Sequence, residues 1–183
     1  MSPHAPGSEP RRKSTHGPLR QYRPKGVDLL ERPWCWEGHV QDALSRHLVG
    51  EGWTVRAFAD TESKAPGIDL LAERDDRWLA VEVKGYPSTT YDHGTNRGKP
   101  KPTQPTNQAR QWFSHALLGM MLLRHRRPDA EIAICFPDFL TYRSLVERTR
   151  GSFALLGFGV YFVSEDGRVR LELPHRPVTC PEC

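Results

Sequence analysis

Long hydrophobic runs are missing from this sequence of 183 residues. The longest mostly apolar stretch, Ala116 to Leu123, is far shorter than the roughly 20 residues that a membrane-spanning helix needs. Hydrophobic residues make up 37% of the chain and charged residues 26%, which excludes both an integral membrane protein and a fully disordered one. The length predicts one domain of ordinary size with tails, because much smaller cores are marginal.

Cysteine is also scarce, with four residues, and no apolar segment follows a basic start at the N-terminus. We therefore expect neither a secretory signal nor a disulfide framework, and we predict a cytoplasmic protein. Cys35 and Cys135 lie among apolar residues, which favours buried or half-buried positions. Cys180 and Cys183 have the spacing of metal ligands, with His175 as a third candidate. A zinc site needs four ligands, however, so an unstructured tail is the favoured interpretation.

The positive charge of the chain is concentrated near its N-terminus. Residues 1–25 hold six basic residues against Glu9, a local balance of +5, whereas the whole chain has a net charge of +4. The remainder is therefore close to neutral. Such a polar, proline-rich segment does not bury enough apolar surface to fold. It is predicted to be a flexible basic arm over 1–33, serving either solubility or nonspecific contact with nucleic-acid phosphates.

Hydrophobic periodicity predicts helices and strands that alternate along the rest of the chain. Residues 85–104 are rich in proline and glycine and predict a long loop, which in a compact domain is usually functional or disordered. The order indicates an α/β fold with a mixed central sheet flanked by helices. The predicted elements are a helix over 36–50, strands over 53–59, 68–73 and 78–84, a helix over 105–126, a strand over 131–136, a helix over 138–150, and strands over 159–164 and 168–173.

The hairpin formed by the second and third strands carries the most informative charges. Alternation places Glu82 and Lys84 on one face of the third strand. A symmetric turn about Asp75 and Asp76 would put Asp69 directly opposite Glu82, and like charges in that position destabilise a sheet. A divalent cation held by both carboxylates would compensate them, with help from Lys84. The alternative is a solvated face, with Lys84 as a surface partner.

The first helix contributes a third carboxylate. Val40, Leu44 and Leu48 form an apolar stripe whose centre lies close to Glu37 at 100° per residue, so Glu37 is on the core-facing side. A buried carboxylate without a partner is costly. One interpretation is a third acid at the same metal site. The other is an acid in the first helical turn, where the macrodipole favours it and solvent reaches it.

These residues resemble the PD-(D/E)XK nuclease superfamily, which has the restriction-endonuclease-like fold. The resemblance covers about 36–164 and lies in Glu37, in Gly67-Ile-Asp69-Leu, and in Val81-Glu82-Val83-Lys84-Gly85. It implies that Asp69 and Glu82 bind Mg²⁺, that Glu37 adds to the metal shell, and that Lys84 assists the attacking water. Ile68 stands where the motif's name has proline, a departure that many members share.

Further candidates lie in the loop after the hairpin and at the start of the second helix. The superfamily draws attention to Gln108, because several of its branches place a glutamine on the helix after the motif; an ordinary role at the helix N-terminus is the alternative. Arg97, Lys99 and Lys101 would suit a strap over a phosphate backbone, or they belong to a solvated loop.

The sequence thus predicts a nuclease-like domain over 34–173 and a tail over 174–183 that contains Cys-Pro-Glu-Cys. The expected activity is Mg²⁺-dependent hydrolysis of phosphodiester bonds, with Mn²⁺ as a substitute ion and DNA as the expected substrate. The alternative is a noncatalytic nucleic-acid-binding or scaffold protein on the same fold. No membrane partner is expected, and cutting of both strands would favour a homodimer with two-fold symmetry.

Overall fold

The computed structural model describes residues 32–58, 68–91 and 94–176. Most of the predicted basic arm, Gly67 of the motif, and both cysteines of the C-terminal pair lie outside these residues. The described elements are α1 (Glu37–Gly50), β1 (Thr54–Phe58), β2 (Leu70–Arg74), β3 (Arg77–Val83), α2 (Pro105–Arg126), β4 (Glu131–Pro137), α3 (Leu140–Leu156), β5 (Phe158–Val163) and β6 (Val169–Leu173).

A six-stranded sheet forms the centre of the molecule, and its strand order is the chain order, β1 to β6. β1, β2 and β3 are antiparallel neighbours; β3, β4 and β5 are parallel; and β6 returns antiparallel to β5. The two parallel connections are made by α2 and α3, since a parallel pair needs a crossover. This mixed α/β architecture is the predicted one and is consistent with a restriction-endonuclease-like fold.

The helices cover both faces of the sheet. On one face the apolar stripe of α1 packs with Leu79, Val81 and Val83 of β3. On the other face α2 and α3 pack with Ala80 and with the phenylalanine side chains of β4 and β5. The alternation predicted for β3 is confirmed, because its odd-numbered aliphatic residues lie in one core and Ala80 lies in the other. β4 and β5 are buried along their whole length.

Both bounds predicted for the third helix were wrong. It was expected over 138–150, whereas α3 begins at Leu140 and continues to Leu156. Gly151 does not end the helix; Phe153 continues the buried face beyond it. The helix ends at Gly157, which has φ of 63°, the left-handed conformation that glycine adopts at low cost.

Neither α2, the longest described helix at 22 residues, nor α1 or α3 combines the length and the apolar composition of a membrane-spanning segment.

Candidate active site

Three carboxylates surround one ammonium group where β3 ends. Nζ of Lys84 lies 2.7 Å from Oε1 of Glu82, 3.6 Å from Oδ2 of Asp69 and 4.0 Å from Oε2 of Glu37. The exposed fractions of the four side chains lie between 17% and 31%, so all of them are partly withdrawn from water. The structure therefore brings the four predicted catalytic and metal-binding residues together.

The β2–β3 hairpin positions two of the carboxylates. Its turn consists of Asp75 and Asp76, with φ of 50° and 61°. Positive φ at both central residues is the signature of the tight two-residue turn that matches the twist of paired strands. Leu70 pairs with Val81, and the next position along both strands holds Asp69 and Glu82. The predicted register is thus confirmed, although β2 itself starts one residue after Asp69.

Two hydrogen bonds hold Asp69 in place. Its Oδ2 accepts a hydrogen bond of 2.7 Å from the backbone N–H of Val83. Its backbone carbonyl accepts one of 2.6 Å from Nε2 of Gln41, which is buried in α1. The carboxylate is therefore tied to β3 and its backbone to α1, so that its position does not depend on a ligand.

The start of α1 reaches the site because Gly85 allows a close approach. A Cβ atom at this position would lie 2.7 Å from the backbone nitrogen of Glu37 and 2.9 Å from the carbonyl oxygen of Cys35. The adjacent N–H of Tyr86 donates to the same Cys35 carbonyl at 2.9 Å. Any side chain at Gly85 would push α1 away from β3 and carry Glu37 with it.

The charges at the site do not cancel. Burial raises the pKa of Glu82; Lys84 opposes this rise and Asp69 adds to it. Burial likewise raises the pKa of Glu37, again opposed by Lys84. Burial alone would lower the pKa of Lys84, but Glu82, Glu37 and Asp69 together raise it, so the lysine is an ammonium at neutral pH. With every group ionised, three carboxylates and one ammonium leave two negative charges in a partly buried space.

A divalent cation suits this set of donors chemically, since Mg²⁺ takes oxygen ligands and would balance the two remaining charges. Within residues 32–58, 68–91 and 94–176, no group of three or more His, Cys, Asp or Glu side chains is arranged to hold a metal ion. The ammonium of Lys84 lies between the three carboxylates. An ion could enter only if this ammonium moved aside.

Gly119 of α2 also faces the site, and sequence reasoning did not identify it. A Cβ atom built on Gly119 would lie 3.8 Å from the carboxyl carbon and both oxygens of Glu82, with no nearer neighbour. The interior of a helix is an unfavourable place for glycine, at a cost of about 1 kcal/mol relative to alanine. Only the tertiary fold shows that this glycine keeps one side of the Glu82 carboxylate uncovered.

Gln108 lies on the same side of α2 but at a distance from the carboxylates. Eleven residues separate it from Gly119, which corresponds to nearly the same helical face but about 16 Å along the axis. Its side-chain amide donates a hydrogen bond of 2.8 Å to the carbonyl of Thr103 in the preceding loop. The structure therefore gives Gln108 the local role at the helix N-terminus, and a contact with nucleic acid stays a prediction.

Hydrogen bonds hold together the loop that carries the predicted strap residues. The backbone N–H of Tyr91 donates to the Lys99 carbonyl at 3.0 Å, and the N–H of Lys101 donates to Thr89 at 2.8 Å. Lys101 also bonds to the hydroxyl of Ser88 through Nζ, at 3.1 Å. Arg97 and Lys99 are exposed. Two isolated bridges, Thr90 with Pro100 and Tyr91 with Arg97, therefore hold together the described parts of the loop that follows Lys84.

His175 has a role that the sequence did not indicate. It was considered as a zinc ligand beside Cys180 and Cys183, but its Nδ1 bonds to Glu131 and its Nε2 bonds to the Tyr161 hydroxyl at 2.8 Å. Both ring nitrogens are therefore engaged. This segment was also predicted to be part of a tail, whereas only 10% of the His175 side chain is exposed.

Glu131 is the buried acid to which His175 binds, and it is only 2% exposed. Nε of Arg77 donates to its other oxygen at 2.6 Å. Burial alone would raise the pKa of Glu131, but the hydrogen bonds from His175 and Arg77 lower it to about 2. Glu131 begins β4, at the opposite end of the strand from Lys84 and its neighbours, so this cluster fastens the C-terminal segment to the sheet.

Comparison with known proteins does not assign the chain to a family. No family model and no curated protein matches it. Among solved structures, an XisH family protein from Nostoc punctiforme is similar over 72% of this chain and 97% of its own, with a TM-score of 0.43 and 15% sequence identity. At this level of similarity, function has to be argued from the side chains of the site.

Proposed function

We propose that this protein is a divalent-metal-dependent nuclease of the PD-(D/E)XK type, with DNA as its substrate. The observation that supports this function is the convergence of Glu37, Asp69 and Glu82, from three different segments, on the ammonium of Lys84. An exposed surface ion pair is worth little to stability. A partly buried group with two excess negative charges is costly to fold, and such groups concentrate where chemistry is done.

Asp69 and Glu82 would hold the ion, with Glu37 completing the shell. When bound, Mg²⁺ or Mn²⁺ lowers the pKa of water and neutralises charge on the phosphate. Asp69 is the best-positioned ligand, because the Val83 N–H fixes one oxygen and leaves the other to bind. Glu82 faces Gly119 of α2, which places no side chain against its carboxylate.

Lys84 would stabilise charge as a cation. Its raised pKa makes it a poor base before the ion binds, since the neutral amine is then scarce at neutral pH. An ammonium displaced from the carboxylates would be free to pair with a phosphate oxygen and to orient the attacking water. Groups of this kind typically contribute about 10² to 10⁴ in rate.

The test is incubation with a panel of single-stranded, double-stranded and branched DNA and of RNA, in Mg²⁺ and in Mn²⁺. Asp69→Asn and Glu82→Gln should abolish cleavage while changing side-chain volume little. Lys84→Met should slow cleavage by roughly 10² to 10⁴. Glu147→Gln is the matched control, because Glu147 is an exposed carboxylate paired with Arg150 on α3. Activity that survived all three site substitutions would point to another site or to a contaminant.

Lys84→Met also tests the arrangement of the charges. Because the ammonium and a divalent cation would compete for the same carboxylates, this variant should bind Mn²⁺ at least as tightly as the wild type. A Mn²⁺ concentration of 100 times the dissociation constant would stabilise the folded protein by about 2.7 kcal/mol. For a chain of this size that corresponds to a rise in Tm of about 5–10 °C.

One observation favours a second candidate, a noncatalytic nucleic-acid-binding or scaffold protein on the same fold. Lys84 already pairs with Glu82 at 2.7 Å, an arrangement that serves as a structural ion pair without any metal. In that case Mg²⁺ and Mn²⁺ would leave Tm unchanged at millimolar concentration, and Glu82→Gln would lower stability without affecting nucleic-acid binding.

A further inference from the structure

Three aromatic rings form a near-parallel stack at the edge of the candidate active site. The rings of Tyr86 and Phe139 are 3.9 Å apart at their centroids and 18° from parallel. Phe139 and Trp34 follow at 5.2 Å and 7°. The fully buried Tyr142 makes a T-shaped contact with Tyr86 at the inner end of the stack, with centroids 5.6 Å apart and planes at 88°. We call Tyr86, Phe139 and Trp34 the aromatic ladder.

The ladder is assembled from the same segments that supply the site. Tyr86 lies two residues after Lys84, and Trp34 lies three residues before Glu37. A chain spans at most about 3.6 Å per residue, so these residues are within about 7 Å and 11 Å of their neighbours along the backbone. Phe139 follows β4, the parallel neighbour of β3, and thus lies at the same edge of the sheet.

The two ends of the ladder differ in the ring contacts that the described residues make. All three rings are half-buried, whereas the core aromatics of β4 and β5 are fully buried. In the described part of the chain, Trp34 has one ring partner, Phe139, on one of its faces. A flat indole at the end of a stack is the arrangement on which a further flat ring packs well.

We propose that the aromatic ladder binds an unpaired nucleobase and that the substrate is therefore single-stranded or locally unpaired nucleic acid. The inference rests on the proposed function, because a base is the expected partner of Trp34 only if a phosphodiester binds near Lys84. Inside a duplex both faces of each base are covered by its neighbours. Only an extruded base, a strand end or a single strand can stack on the ladder.

Binding measured without a divalent ion tests this inference independently of cleavage. The probes are a short oligonucleotide that contains 2-aminopurine, as a single strand and as a duplex, at fixed salt in EDTA. We expect the single strand to bind more tightly and its fluorescence to be quenched by stacking. Trp34→Leu should weaken single-strand binding about 10-fold, the scale of one base stack, and should relieve the quenching. Trp34→Phe should retain most of both effects.

Trp78→Leu is the matched control, since Trp78 is also half-buried and packs under a cation, Arg127. It lies four residues before Glu82 on β3, about 13 Å from the site, and should leave binding unchanged. Thermal melts of each variant separate loss of binding from loss of fold, and the comparison of single strand with duplex in the wild type still tests the inference if Trp34→Leu does not fold.

The outcomes separate the two proposals. Equal binding of duplex and single strand, or unchanged affinity and quenching in a folded Trp34→Leu, would overturn the ladder inference even if the wild type cleaves DNA. Binding that depends on Trp34 in a protein without nuclease activity would support the ladder as a base-binding site and refute the catalytic proposal.

Discussion

Gly119 offers a sharp test of the candidate site, because its replacement should separate stability from activity. Glycine within a helix costs about 1 kcal/mol relative to alanine, so Gly119→Ala should stabilise the fold by about that amount. For a chain of this size the Tm should rise by about 2–4 °C. The added methyl group would lie 3.8 Å from the Glu82 carboxylate, an ordinary contact distance, and would not distort the helix.

The same methyl group should impair the site. It would cover the side of Glu82 that faces α2, which leaves less room for an ion or a phosphate. We expect Gly119→Ala to reduce cleavage moderately and Gly119→Leu to reduce it by about 10² or more, the cost of displacing reacting groups by about an ångström. The assays are cleavage rates in Mn²⁺ and a Mn²⁺ titration followed by Tm.

Gly151 provides the matched control. It lies inside α3 and is exposed, and a Cβ atom at this position would have open space around it. Gly151→Ala should therefore give the same stabilisation as Gly119→Ala with no loss of activity. If folded Gly119→Leu cleaved as fast as Gly151→Leu, the space beside Glu82 would not be used, and the assignment of this edge as the active site would fail.

Three further predictions follow from the site, the loop and the buried acid. Glu37→Gln should weaken Mn²⁺ binding, measured by titration, while Tm without metal changes little; an equal loss of stability would favour a purely structural role. Replacing Arg97, Lys99 and Lys101 by alanine should reduce the salt dependence of DNA binding by about 1 in log–log slope for each phosphate that these cations neutralise, and an unchanged slope would remove them from the interface. The carboxylate of Glu131 has a folded-state pKa of about 2 against an ordinary value of 4.5, so its stabilisation is present above pH 4.5 and lost as pH falls towards 2. Glu131→Gln should cost about 3 kcal/mol in urea unfolding at pH 7 and a little under half of that at about pH 3; a constant difference would contradict the assigned pKa.

The sequence predicted the parts of the molecule that depend on local pattern. The bounds of α2 follow from Pro105 and a long amphipathic stripe, and they were predicted without error. The facing of Asp69 and Glu82 follows from alternation and turn symmetry, both of which are properties of neighbouring residues. The approach of Glu37 to the same point was predicted from helix periodicity and from family resemblance together.

What the sequence did not reveal depends on contacts between distant segments. Nothing in the pattern of α2 marks Gly119 as the residue above Glu82. The aromatic ladder joins Trp34, Tyr86 and Phe139, which lie far apart along the chain, and no periodicity links them. The contact of His175 with the buried Glu131 was likewise not predicted, because a polar residue after the last strand resembles part of an unstructured tail.

The two-residue turn at Asp75 and Asp76 makes the length of the hairpin more important than its composition. Many residue pairs that tolerate positive φ, such as Asn-Gly, could replace the two aspartates without moving Glu82. A single inserted residue is different, because unless a bulge absorbed it, Glu82 and Lys84 would exchange faces with the aliphatic residues of β3. Evolution of this site should therefore accept substitutions in the turn and reject insertions or deletions, so that related chains with the same chemistry will share a turn of constant length. The length of a hairpin tip six residues from Asp69 and Glu82 thus fixes which face of the sheet carries the candidate site.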